Sequence, residues 1–288
     1  MHPHSRVRVF SFIIPECLAR CARKALWATI QTHPSGVKAD FPNLQASKEL
    51  KNQPTLQIHP YNIGKENSMS KPVDCITKDV VITSDKALTL QGILTVPKDS
   101  RGIVIFAHGS GSGRHSPRNQ FVANILVKSN MATLLMDLLT PEEEEIDSHT
   151  RHLRFDIELL AERLNFAAEW LADQQEINKL KVGLIGSSTG AAAALVSAGE
   201  NPQNIAAVVS RGGRPDLAGD ALPLIKAPTL LIVGSHDFDV IKMNQEAFDK
   251  LKCVKKIEII EGATHLFEEP GTLEEAARRS NEWFLKYF

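Results

Sequence analysis

Leu180-Lys181-Val182-Gly183-Leu184-Ile185-Gly186-Ser187-Ser188-Thr189-Gly190 decides how this chain reads. An apolar run, Leu180 to Ile185 with one Lys inside it, leads into Gly186. An alanine-rich helical pattern, Ala191 to Ala198, leads away from Gly190. Strand, Gly-x-Ser-x-Gly, helix is the pattern of a nucleophile elbow. The chain must turn sharply there, so the flanking positions must be small. Ser188 is then held at the tip of the turn with its hydroxyl exposed and a helix start behind it.

Working outward, apolar segments alternate with helical ones. Lys78 to Thr83 and Leu88 to Val96 alternate as an antiparallel pair turning at Ser84-Asp85-Lys86. Gly102 to Ala107, Ala132 to Met136, Val182 to Ile185, Ile205 to Val209, Thr229 to Val233 and Lys256 to Ile260 are short apolar runs, as strands covered on both faces require. Phe121 to Lys128, Met243 to Leu251 and Leu273 to Phe288 read as helices. His152 to Leu171 reads as one long amphipathic helix, and Thr140 to Thr150 as a polar, acidic connection. The expected fold is α/β: a mostly parallel sheet with helices on both faces. Only about 18 residues separate Ser210 from Thr229, too few for a large cap domain.

A nucleophilic serine needs a base, and the base an orienting acid. In a sheet of this kind both belong in loops after later strands. The strand Thr229 to Val233 ends in Gly234-Ser235-His236-Asp237-Phe238-Asp239-Val240, and the last strand ends in Glu261-Gly262-Ala263-Thr264-His265. Ser188, Asp237 and His265 thus follow in order, 49 and 28 residues apart. Asp239 competes with Asp237 for the acid. Asp237 is preferred because it comes three residues after Gly234 and Val240 can pack back under the loop. His236 is a poorer base, being adjacent to the acid.

The developing oxyanion needs two backbone N–H donors. Thr189, just after the nucleophile, supplies one. The other belongs to His108-Gly109-Ser110-Gly111-Ser112-Gly113, where Ser110 is the first choice and Gly109 is close behind. That loop lacks the Lys-Ser/Thr pair of a nucleotide triphosphatase, so no nucleotide cofactor is expected.

At this point the chain resembles the alpha/beta-hydrolases, and within them the dienelactone-hydrolase-like group, from about Val80 to Phe288. The resemblance rests on His108-Gly109, Gly186-x-Ser188-x-Gly190, Gly234-x-x-Asp237-x-x-Val240 and Gly262-Ala263-Thr264-His265 followed by Leu266-Phe267-Glu268. It implies a Ser188, Asp237, His265 triad that hydrolyses an ester, lactone or related acyl bond. Dienelactone hydrolases proper use Cys as nucleophile where this chain has Ser188, which points away from dienelactone as substrate. Thioester and peptide bonds suit the same triad, and a non-catalytic binding protein of the same fold is the competing class.

Around the expected site, Arg114, His115, Arg118, Arg151, Arg154, Arg211 and Arg214 form a basic set. Arg114, Arg211 and Arg214 are candidates to hold a substrate carboxylate or phosphate. Glu142 to Glu145, Asp147 and Asp216 are the acids able to pair with them instead.

Composition bounds the rest. A net charge of −1 and 6% aromatics give no sign of nucleic-acid binding. Four Cys, at 17, 21, 75 and 253, are too sparse for a disulfide scaffold or a zinc site and fit a reducing, cytoplasmic setting. No metal is expected, no apolar run is long enough to span a membrane, and a monomer or homodimer is anticipated. Residues 1–69 stand apart as a leader. They carry nine Lys or Arg against four acids, a net of +5, while the remainder nets −6. They read as disordered or weakly structured: an upstream extension before Met69, a targeting peptide or an appendage. Residues 70–288 form the expected hydrolase domain.

Overall fold

The structure is a computed structural model that describes residues 73–83 and 88–288. The leader 1–69 and the turn at Ser84-Asp85-Lys86 lie outside the described residues. Eight strands form one sheet: β1 (Cys75–Thr83), β2 (Thr89–Pro97), β3 (Gly102–Ala107), β4 (Ala132–Met136), β5 (Lys181–Ser188), β6 (Ile205–Gly213), β7 (Thr229–Gly234) and β8 (Lys255–Ile260). Their spatial order is β1-β2-β4-β3-β5-β6-β7-β8. β2 runs antiparallel to both its neighbours, and β3 to β8 are parallel throughout. The helices are α1 (Pro117–Lys128), α2 (Pro141–Thr150), α3 (Ile157–Ala172), α4 (Thr189–Glu200), α5 (Phe238–Lys250) and α6 (Thr272–Tyr287). The expected α/β architecture is the observed one.

Strand β3 shows why the sheet is covered on both sides. All six of its residues are buried. Ile103, Ile105 and Ala107 face one core with Leu160 and Leu164 of α3 and Ala193 and Ala194 of α4. Val104 and Phe106 face the other, with Val122 and Leu126 of α1 and Ala277 and Phe284 of α6. Alternate side chains point to opposite faces, so an unbroken apolar run is the pattern a doubly covered strand needs. Full burial of a side chain such as Phe106 contributes about 1.5–3 kcal/mol.

Two elements differ from the sequence reading. Thr140 to Thr150 is a helix, not a connection. The Thr140 hydroxyl accepts from the Glu143 N–H, and the Glu143 carboxylate accepts from the Thr140 N–H. Pro141 fills the first turn, and Glu142 to Glu144 favour the positive helix end. Glu143 also pairs with buried Arg163 of α3 at 2.7 Å, tying the two helices together. The long helix from His152 is broken: Leu153–Phe155 is a 3-10 turn, and Asp156 then caps α3 by accepting from Leu159 N–H. Between β6 and β7 lie 3-10 turns, Pro215–Leu224, kinked at Gly219, and no cap domain. Among the described residues no helix is long and apolar enough to cross a membrane.

Candidate active site

Ser188 ends β5 and precedes α4 with φ 50 and ψ −120, a region of backbone space that side chains disfavour. The two glycines around it make that turn possible. A Cβ on Gly186 would lie 2.3 Å from the Gly190 carbonyl oxygen, and one on Gly190 would lie 2.4 Å from those of Ala107 and His108. Neither position can hold a side chain while the helix start is pressed against the end of β3.

Asp237 and His265 meet across the ends of β7 and β8. Asp237 Oδ2 lies 2.6 Å from His265 Nδ1. Asp237 occupies the N-cap of α5 but makes no capping bond with its side chain, which is turned to the histidine. The loop carrying His265 is pinned from both directions. His236 N–H donates to Ala263 O, and Thr264 donates through its N–H and its hydroxyl to Glu269. Ser188 and His265 line one cavity of about 260 Å³ with Gly109, Ser110 and Ser187. Asp239, the alternative acid, lies in the first turn of α5, and no hydrogen bond joins it to His265 among the described residues.

Gly109 passes close over Ser188. A Cβ there would sit 3.1 Å from Ser188 Cβ. Ser110 Oγ is 3.1 Å from Thr189 Oγ1, so the two segments expected to donate to an oxyanion are linked by their hydroxyls. His108 anchors this loop, a role that sequence reasoning missed. Its Nε2 accepts from Leu138 N–H at 3.1 Å, which leaves the proton on Nδ1 to donate to Gly109 O at 3.0 Å. Burial holds the His108 pKa below its ordinary 6.5, against smaller opposing contributions from the Gly109 bond, Asp137 and Glu144.

The arginines separate by partner. Arg114 pairs with Asp137. Arg154 bonds buried Asp147 through its N–H and its guanidinium. Arg214 forms two parallel bonds to Asp216, at 2.9 and 2.8 Å. Arg118 reaches Glu268 at 3.1 Å and lines the cavity. Arg211 also lines the cavity, but its bonds go to Asn119 Oδ1 at 2.8 Å and Ser187 Oγ at 2.7 Å, both uncharged. Burial first and the nearby Arg118 second pull its pKa down to about 10, so it stays charged at neutral pH. The Asn119–Arg211 pairing joins residues 92 apart, and no local pattern announces it.

Against known proteins, residues 90–288 match the model of the dienelactone hydrolase family. A dienelactone hydrolase from Anabaena variabilis ATCC 29413 is 55% identical and superposes with a TM-score of 0.73, covering 74% of this chain and 99% of that one. Two lower-identity structures share the fold. Est1E from Butyrivibrio proteoclasticus is 15% identical with a TM-score of 0.61, over 73% of this chain and 98% of its own. The Pyrococcus furiosus esterase Pf2001 is 23% identical with a TM-score of 0.58, over 74% and 93%. Two Mycobacterium tuberculosis strains hold a protein provisionally named a phosphoribosyl transferase. It is 55% identical over 196 residues, 68% of this chain and 43% of its own length. The chain therefore spans less than half the length of the curated relatives it matches. With the sheet order, the elbow and the family match in agreement, this chain belongs to the dienelactone hydrolase family.

Proposed function

We propose that residues 70–288 act as a serine hydrolase that cleaves a carboxylic ester or lactone. The observation that carries this reading is the 2.6 Å contact between Asp237 and His265, in the same site as Ser188 on its strained turn. Ser188 Oγ adds to the acyl carbon, and its proton passes to His265 Nε2. The carbonyl electron pair moves onto oxygen, where the N–H of Thr189 and that of Ser110 or Gly109 hold it. Collapse breaks the ester bond, and the leaving alcohol takes the proton from His265. Water repeats the sequence: His265 removes its proton, the hydroxide adds to the acyl-enzyme, and Ser188 leaves with that proton as the acid is released. Asp237 keeps His265 in the tautomer with Nδ1–H and stabilises its charged form.

The family assignment supports hydrolysis in general; the acyl group depends on the pocket alone. Thioesterase or peptidase action uses the same groups. A binding protein of the same fold is the reading to beat, and the complete set of Ser188, Asp237 and His265 argues against it. The deciding experiment is a screen of short-chain nitrophenyl esters, aryl esters, lactones and acyl thioesters, with Ser188→Ala as blank. Turnover of at least one class above that blank is expected. Turnover of none would move the assignment to a binding protein.

A further inference from the structure

The cavity that holds Ser188 and His265 is also lined by polar residues that take no part in the proposed acyl transfer. They are Ser112, Ser116, Arg118, Asn119, Ser187 and Arg211. Arg211 is only 6% exposed, its Nη1 is buried without a partner, and its other bonds go to neutral oxygens. A buried cation without an anion is costly to keep. Arg114, Arg154 and Arg214 each have a carboxylate, whereas among the described residues Arg211 has none. Arg118 brings a second guanidinium to the same cavity, and its acid Glu268 is mostly exposed to solvent. The first turn of α1 opens here as well: Ser116 is its N-cap, and Arg118 and Asn119 follow. Pro117 has no N–H and the Asn119 N–H donates to Ser116 Oγ, so this turn offers a ligand the Arg118 N–H and the partial positive charge of the helix end. Among the described residues no acid lines the cavity.

The chemistry these groups recognise is a multi-oxygen anion. A carboxylate offers two oxygens and one charge. A phosphate monoester offers three oxygens and close to two charges, which match two guanidiniums and a ring of hydroxyl donors.

We propose that this part of the cavity is a phosphate subsite, and that the substrate is a small acyl compound carrying a phosphate monoester. Arg118 and the first turn of α1 seat the phosphate above the buried charge of Arg211, and the scissile carbonyl lies at Ser188. The subsite stands on its own geometry; the word substrate rests on the hydrolase reading. At about 260 Å³ the cavity admits only a few atoms between the two groups.

Inorganic phosphate is the probe. Titrated calorimetrically into full-length Ser188→Ala protein, it is expected to bind and to raise the melting temperature. In the unsubstituted protein it is expected to compete with 4-nitrophenyl acetate. Arg118→Gln and Arg211→Met should each weaken phosphate binding by about ten-fold or more. Arg118 is on the rim, so its substitution reports even if the buried one prevents folding. Absence of phosphate binding, acetate or succinate binding as tightly, or an unchanged affinity in Arg118→Gln overturns the proposal. Ester turnover without phosphate binding removes the subsite alone. Phosphate binding by a protein that turns over no ester keeps the subsite and removes the hydrolase.

Discussion

Asp237 stands at the head of α5 yet leaves that helix uncapped, because its Oδ2 is held 2.6 Å from His265 Nδ1. An N-cap side chain typically stabilises its helix by about 1 kcal/mol. Here the local gain is given up for a contact 28 residues away. Asp237→Asn is expected to lower kcat by about 10⁴, since the amide favours the wrong histidine tautomer. The melting temperature should hardly move, because the helix loses no cap. Near-normal turnover in Asp237→Asn would transfer the orienting role to another acid, with Asp239 first in line.

An active-site fluorophosphonate should label the protein through Ser188 Oγ, and Ser188→Ala should abolish the label. Mass spectrometry of the labelled peptide checks the site. A label that persists in Ser188→Ala takes Ser188 out of the mechanism.

Gly190→Ala tests the elbow itself. The new Cβ would meet the backbone oxygens of Ala107 and His108 at 2.4 Å, and backbone cannot rotate away as a side chain does. Overpacking of this kind costs about 3 kcal/mol. Thermal melting should show a fall of several degrees, accompanied by loss of activity as the oxyanion loop is displaced. A variant as stable and as active as the parent would contradict the packing described.

His108 sets a pH limit. Its folded-state pKa is depressed by burial, so the unfolded chain takes up the proton first as pH falls. The stability that neutral His108 contributes is therefore fully present above the ordinary pKa of 6.5 and is lost progressively below it. His108→Gln does not titrate. It should be less stable at neutral pH by about 1–3 kcal/mol, with a flatter decline of melting temperature below pH 6.5 than the parent. Parallel curves for the two proteins would assign the acid sensitivity elsewhere.

Thr140→Ala removes half of the reciprocal cap on α2 and should cost about 1 kcal/mol in denaturant unfolding. No change would mean that Arg163, through Glu143, holds the helix by itself.

The sequence made some of these features plain and hid others, for identifiable reasons. The elbow was legible because its constraints are local: Gly186 and Gly190 lie two residues either side of Ser188. Asp237 and His265 were legible because each follows an apolar run that ends in a glycine-bearing loop. Helix α2 was missed: Thr140-Pro141-Glu142-Glu143 carries the capping signal, but the acidic run masked it as a polar connection. The break at Asp156 was hidden because Leu153, Ile157 and Leu160 keep helical spacing straight through it. Which arginine lacks an acid could not be read at all. It depends on Arg211 lying beside Ser187 on the neighbouring strand and beside Asn119 on α1, contacts made only when the sheet closes.

Ala107, the last residue of β3, pairs with Gly186 in the parallel ladder, and β5 runs on two residues from there to Ser188. Neighbouring strands stand about 4.8 Å apart, whatever side chains they carry. The gauge between the end of β3 and the turn at Ser188 is thus cut into the backbone, and no rotamer can widen it. Evolution can refit the cavity walls while that gauge stays fixed.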